Sequence, residues 1–269
     1  RINTLTNKVT VFKNNNDNKF SISNNTITHI NKDINGNLYI VGKKGVINVL
    51  VKKNKDIKYY NGLESNSPTT VLSVFKSSDK SLWIGTDGEG LNRVLKNNNK
   101  IHYSIDSKGK SYFEGRYIQS IVEGRKGQIW IATYQNGLWV YENEKFKKIP
   151  TPDSKGKLTQ EIPFLFKDSK NRIWSTTSHS INIYNQNLEL LKVFDYNSYG
   201  LKGYPSLGIC EDENNIIWIV VNDGGLFVLL SPYTWLEDYT PKQNLVLNLL
   251  CWVLLQFSQP IHRALNILR

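Results

Sequence analysis

An all-β chain, a β-propeller with about five complete four-stranded blades plus a partial one, is the fold this sequence predicts. Three observations predict it: one aromatic strand recurs five times, the apolar positions around it keep register in every copy, and each copy divides into short strands with no helical period.

The recurring strand is Leu38-Tyr39-Ile40, Leu82-Trp83-Ile84, Ile129-Trp130-Ile131, Ile173-Trp174-Ser175 and Ile217-Trp218-Ile219, its aromatics 44, 47, 44 and 44 residues apart. Nine residues before each aromatic stand Ile30, Val74, Ile121, Leu165 and Ile209. Twelve before stand Ile27, Val71, Ile118, Ile162 and, as the one polar member, Ser206. Seven and eight residues after come Val46-Ile47, Gly90-Leu91, Gly137-Leu138 and Gly225-Leu226, while the fourth copy reaches Ser180-Ile181 one residue early.

Within a copy, β-branched and aromatic residues alternate with polar ones in runs of about five, bounded by turn formers. The second copy predicts strands at Val71 to Phe75, Leu82 to Thr86, Leu91 to Leu95 and Ile101 to Ile105. Turns rich in Asp, Gly, Asn and Lys separate the first two strands, as in Asp33 to Asn37 and Asp168 to Arg172; such residues accept positive φ and satisfy their own backbone. A single blade cannot bury both faces. The repeated aromatic is therefore read as the residue that packs one blade on the next, with a row of sugar-stacking platforms at Trp83, Trp130, Trp174 and Trp218 as the alternative.

The repeats occupy residues 25–240. Residues 1–24 read as the outer two strands of a preceding partial blade, Ile2 to Leu5 and Val9 to Phe12. A start at Arg1 and the lack of any Met suggest an internal fragment of a larger, six- to eight-bladed propeller. Residues 241–269 form an apolar tail that departs from the repeat, readable as a degenerate blade, a partial membrane helix or a helix packed under the propeller.

The formal charge of +11 raises the question of nucleic acid. The lysines sit mostly in Asn-rich turns such as Lys96 to Lys100, and no aromatic-basic pattern of an RNA-binding sheet accompanies them, so no nucleic-acid partner is expected. Cys210 and Cys251 are too few to diagnose a redox compartment, and Cys210 reads as a buried small hydrophobe. His29, His102, His179 and His262 fall on different parts of the repeat without a second ligand at metal spacing. Gly109-Lys110-Ser111 lacks the glycine and helix of a phosphate loop, and Asp212-Glu213-Asn214 lacks the rest of a calcium loop. No catalytic residue, metal or cofactor is expected.

What the repeat offers is a face. The loop after each aromatic strand and the connection before each inner strand meet on one rim around the central channel. That rim collects Lys43, Lys44, Asp87, Glu89, Tyr134, Gln135, Asn136, His179, Asn222 and Asp223, with Arg116, Tyr117, Glu161 and Tyr204 from the connections. Aromatic, amide and charged groups together suit a small polar ligand such as an oligosaccharide. Arg116, Tyr117, Asp87, Glu89, Tyr134, Asn136, His179 and Asp223 are the candidate ligand-binding residues. Arg116 and Tyr117 lead, because they follow the insertion that lengthens one spacing to 47 residues.

The order of an apolar inner strand, an Asp-containing turn, Leu82-Trp83-Ile84-Gly85-Thr86 and then Gly90-Leu91 resembles the two-component regulator propeller repeat. Gln128 to Thr133 with Gly137-Leu138, and Trp218 with Gly224-Gly225-Leu226, are similar to it as well. The resemblance spans residues 25–240 and implies an extracytoplasmic, periplasmic or cell-surface sensor of a bacterial histidine-kinase receptor, often responding to carbohydrate. It also implies a downstream signalling domain in the parent chain and allows a homodimer. Two other classes stay open. One is an enzyme of the streptogramin lyase type, which would need His179 with Asp87, Glu89 or Asp223; the other is a protein-interaction scaffold.

Overall fold

The computed structural model describes residues 3, 6–18, 20–53, 56–61, 69–103, 117–196, 206–221, 225–231 and 234–235. In them the chain forms five four-stranded antiparallel sheets. The first blade is β1 (Ile27–Lys32), β2 (Leu38–Gly42), β3 (Val46–Leu50) and β4 (Ile57–Asn61). The second is β5 (Val71–Lys76), β6 (Leu82–Thr86), β7 (Leu91–Val94) and β8 (Lys100–Tyr103). The third is β9 (Ile118–Glu123), β10 (Ile129–Thr133), β11 (Leu138–Glu142) and β12 (Lys145–Ile149). The fourth is β13 (Leu165–Lys167), β14 (Ile173–Thr176), β15 (Ser180–Tyr184) and β16 (Leu190–Asp195). The fifth is β17 (Ser206–Glu211), β18 (Ile217–Val221), β19 (Gly225–Ser231) and β20 (Thr234–Trp235).

Sheet order follows chain order in every blade, so each is a simple meander. The first strands are innermost and stand side by side, β1 against β5, β5 against β9, β9 against β13 and β13 against β17. This is the β-propeller that the period predicts. One expected strand is different: in Val9 to Phe12 only Val9 makes a bridge, and Val9 and Val11 stay 60% and 67% exposed. No sheet covers that stretch among the described residues. The apolar tail at 241–269 lies outside them.

The turn from first to second strand passes through a left-handed residue at one repeat position: Gly36 (φ 81°), Lys80 (68°), Gly127 (79°), Asn171 (62°) and Asn215 (61°). Glycine and asparagine bear that conformation most cheaply, which is why the turns are rich in them. The inner strands carry a second repeated device. Register slips at Thr28, Leu72, Gln119 and Leu207, one bulge per blade at the same position, whereas the fourth blade has Pro163 there and its first strand starts only at Leu165.

The aromatic row is core. Tyr39 is 8% exposed, Trp83 1%, and Trp130 and Trp174 are fully buried. Each indole faces the following blade: Trp130 packs with Leu165, Ile173 and Tyr184 of the fourth, and Trp174 with Ile209, Ile217 and Ile219 of the fifth. A sugar platform needs an open ring face, which these three lack.

A buried indole N–H must also be satisfied. In the fourth and fifth blades the turn aspartate does it: Trp174 Nε1 donates to Asp168 Oδ2 at 2.8 Å and Trp218 Nε1 to Asp212 Oδ2 at 2.9 Å. In the second blade the same position is Ser77, whose hydroxyl accepts at 3.2 Å. In the third it is Gly124, and Gln128 Oε1 accepts from Trp130 at 2.9 Å instead. A Cβ on Gly124 would stand 2.5 Å from that oxygen and 2.6 Å from the indole nitrogen. Glycine here makes room for the substitute acceptor.

On the face opposite the rim, adjacent blades are clasped. Ser78 donates from both N and Oγ to the carboxylate of Glu123 at 2.7 Å, and Ser169 does the same to Glu211 at 2.7 and 2.8 Å. Between the third and fourth blades Lys167 Nζ donates to Gly124 O.

Among the described residues two buried side-chain atoms are left without a hydrogen-bond partner, Asn92 Nδ2 and Ser175 Oγ. Ser175 follows Trp174 where the other copies have Ile40, Ile84, Ile131 and Ile219, and its hydroxyl is fully buried without a hydrogen-bond partner. Ser175→Ala removes that desolvated hydroxyl and is expected to raise the unfolding free energy by about 1 kcal/mol, read from the urea midpoint at unchanged slope.

Candidate ligand-binding rim

The rim loops are shaped by the threonine that closes or follows the second strand. Thr86 Oγ1 donates to Gly90 O at 2.8 Å and accepts from Glu89 N at 3.1 Å. Thr133 repeats this with Gly137 O at 2.8 Å and Asn136 N at 2.9 Å. In the shorter fourth loop Thr177 Oγ1 donates to Ser180 O at 3.0 Å and accepts from His179 N at 3.1 Å. These loops are ordered before any ligand arrives, so binding need not supply the ordering entropy.

Three of the expected residues come together where the second and third blades meet. Asp87 bridges Tyr117 through the backbone, and Tyr134 N donates to Tyr117 O at 3.1 Å. Asp87 N is held in turn by Thr70 O at 2.9 Å. The Asp87 side chain is exposed, Tyr134 is 44% exposed, and Tyr117 and the neighbouring Glu89 are half-buried. Backbone contacts thus bring the segments that bear a carboxylate and two phenols together at one blade junction.

Asn136 has another role. Its Oδ1 accepts from Lys148 Nζ at 2.9 Å, the same ammonium reaches Gln160 Oε1 at 3.0 Å, and Asn136 O accepts from Trp139 Nε1 at 2.9 Å. It braces the loop rather than presenting a free amide. His179 is exposed on the fourth blade, and no hydrogen bond or ion pair joins it to Asp87 or Glu89. Lys43 and Lys44 are exposed on the 3-10 turn of the first blade. Arg116, Asp223, Asn222 and Tyr204 lie outside the described residues. Among the described residues no three His, Cys, Asp or Glu side chains are grouped to hold a metal.

Sequence reasoning missed the connection between the third and fourth blades. Pro152 and Leu158 form a bridge, Thr151 Oγ1 donates to Thr159 O at 2.7 Å, and Asp153 Oδ1 accepts from Lys155 N and Lys157 N at 2.9 and 2.8 Å. The small hairpin docks on β15, where Asn182 Nδ2 donates to Pro152 O at 2.9 Å and Tyr184 Oη to Pro150 O at 2.8 Å. Burial raises the Tyr184 pKa, so its phenol remains a donor. The hairpin base is tied to the rim by Gly137 N donating to Gln160 O at 2.8 Å. Its signal in the sequence is the Asp-Ser-Lys-Gly turn after Pro152.

A family model matches the segment that carries Tyr117, β9, β10 and the start of the Tyr134 loop. Residues 112–135 match the two component regulator propeller family model. Comparison with curated proteins gives no match. Solved structures share the propeller fold. The extracellular domain assigned to a hybrid two component system of B. thetaiotaomicron is 18% identical, with a TM-score of 0.50 over 80% of this chain and 37% of that one. Virginiamycin B lyase from Staphylococcus aureus is 17% identical, with a TM-score of 0.58 over 78% of this chain and 71% of that one. PorZ, a surface component of the type-IX secretion system of Porphyromonas gingivalis, is 11% identical, with a TM-score of 0.63 over 82% of this chain and 34% of that one. At such identities the likeness establishes the propeller and leaves its chemistry to the residues.

Proposed function

We propose that this propeller is the ligand-sensing module of a bacterial receptor of the two-component type, facing the extracytoplasmic side. Its ligand is a small polar molecule, an oligosaccharide above all, that settles where the second and third blades meet. The observation that carries this reading is the convergence of Asp87, Tyr117 and Tyr134 through backbone contacts. A carboxylate can accept from two adjacent sugar hydroxyls, and a phenol offers both a ring face and a hydroxyl. Arg116, next to Tyr117, adds a planar donor fork to the proposed site.

Because the three residues belong to two blades, a bound ligand favours one setting of that junction over others. That difference in affinity is what a receptor can pass to a downstream signalling domain. Calorimetric titration of neutral and acidic oligosaccharides into the wild type, Asp87→Ala and Tyr134→Ala tests the site. For a sugar that binds, each variant is expected to weaken affinity at least about ten-fold, about 1.4 kcal/mol. Unchanged affinity in both variants removes the site, and turnover of the sugar during the titration removes the sensor reading.

A further inference from the structure

At the first three blade junctions the open edge of the inner strand is met by a side chain of the preceding blade. The residue ten before each aromatic does this in three successive copies. Ser73 Oγ donates to Ile118 O at 3.0 Å, and Leu165 N donates to Ser120 Oγ at 3.2 Å. In the first blade the residue at that position is His29, whose Nδ1 accepts from Val74 N at 3.2 Å. All three bonds join residues 45 apart and cross from one blade to the next. Thr28 Oγ1 adds a donation to Val71 O at the same junction.

A serine hydroxyl is indifferent to pH in this range, and an imidazole is not. A backbone amide can only donate, so Nδ1 of His29 carries no proton when the bond exists. Protonation there sets N–H against N–H and takes the bond away. From these contacts we propose that His29 is an acid-released staple between the first two blades: closed while its ring is neutral, open once Nδ1 takes a proton.

The surroundings fit that role. His29 is half-buried as a residue, and desolvation of its ring at the blade junction moves the pKa down from 6.5 to about 4, with no neighbouring charge contributing. On the strands packed against it, the titratable groups are Lys32 at the end of its own strand, Tyr39 on β2 and Lys76 at the end of β5. None is a carboxylate that could hold the imidazolium in place. The sign follows from linkage. The unfolded chain protonates its histidine near 6.5 and the folded one only near 4, so the unfolded state binds more protons between those values. Stability contributed by the neutral ring is complete above 6.5 and is lost as pH falls towards 4.

The test uses the full chain and its His29→Ser variant, which installs the residue that the next two blades carry. Between pH 7 and pH 5, His29 alone is expected to raise the unfolded-to-folded ratio of the wild type about twenty-fold relative to the variant. An equal pH response in the two proteins overturns the proposal. Independently of how the variant folds, an NMR titration of the wild type should show the Nε2–H tautomer at neutral pH and a midpoint well below 6.5. A midpoint at or above the ordinary histidine value also overturns it.

Discussion

Trp130→Ala is expected to lower the unfolding free energy by about 3–5 kcal/mol, the cost of removing a large aromatic from a closed core. The ring is fully buried between β10 and the fourth blade, in contact with Leu165, Ile173 and Tyr184. Its loss also strands Gln128, whose Oε1 accepts only the indole N–H while Nε2 reaches across to Gln186 O at 3.1 Å. The two parts of the cost can be separated. Trp130→Phe keeps most of the volume and gives up the hydrogen bond, so it should recover more than half of the loss. Urea unfolding at constant slope measures both. A loss under about 1 kcal/mol accompanied by lost sugar affinity would return the aromatic row to the status of a binding platform.

Asp168→Ala is expected to cost about as much, 3–5 kcal/mol, for an electrostatic reason. The Asp168 side chain is fully buried and Arg172 is 13% exposed. One carboxylate accepts from Arg172 Nε at 2.6 Å, Arg172 N at 2.8 Å and Trp174 Nε1 at 2.8 Å, while the guanidinium lies 5.4 Å from the Trp174 ring centroid. Alanine leaves a nearly buried cation and a fully buried indole N–H without partners. Asp168→Asn keeps the acceptor and discards the charge, so it should cost less, and the difference measures the ion pair. A near-neutral alanine variant would show that water reaches this turn and screens it.

The repeat made the strands legible because burial in a propeller depends on position in the blade, and five copies print the same positions five times. Val74, Ile121 and Leu165 are core for the reason that Trp83 and Trp130 are. The acceptor of each indole was not legible. Asp168, Ser77 and Gln128 come from two repeat positions and three chemistries, and only distance shows that they answer one need. At the rim, the lengthened second spacing pointed to Tyr117, which the backbone joins to Asp87 and Tyr134. Asn136 was legible as a rim residue but not as a brace, because Lys148 reaches it from a strand 12 residues further on and shares the same ammonium with Gln160 in the next connection. The hairpin at Pro152 falls between repeats, where periodicity has nothing to say.

The clasps on the far face bear on how similar blades keep their order. Blades that share one pattern invite mispairing while the chain is still assembling, since any inner strand offers the same edge to any other. The residue seven before the aromatic alternates in kind over the last four copies: Lys76, Glu123, Lys167, Glu211. The glutamates take Ser78 and Ser169 of the preceding blade, whereas Lys167 takes Gly124 O, and Lys76, desolvated at its junction, feels the charge of Asp79 in its own blade and then of Asp33 in the preceding one. From the second blade to the fifth, a blade set behind one of its own parity would therefore meet the wrong chemistry; the first junction, Lys32 to Lys76, lies outside the alternation. Over the last four blades the alternation works as a two-letter address, which sets a single skipped blade against the wrong chemistry even where the apolar cores would accept it.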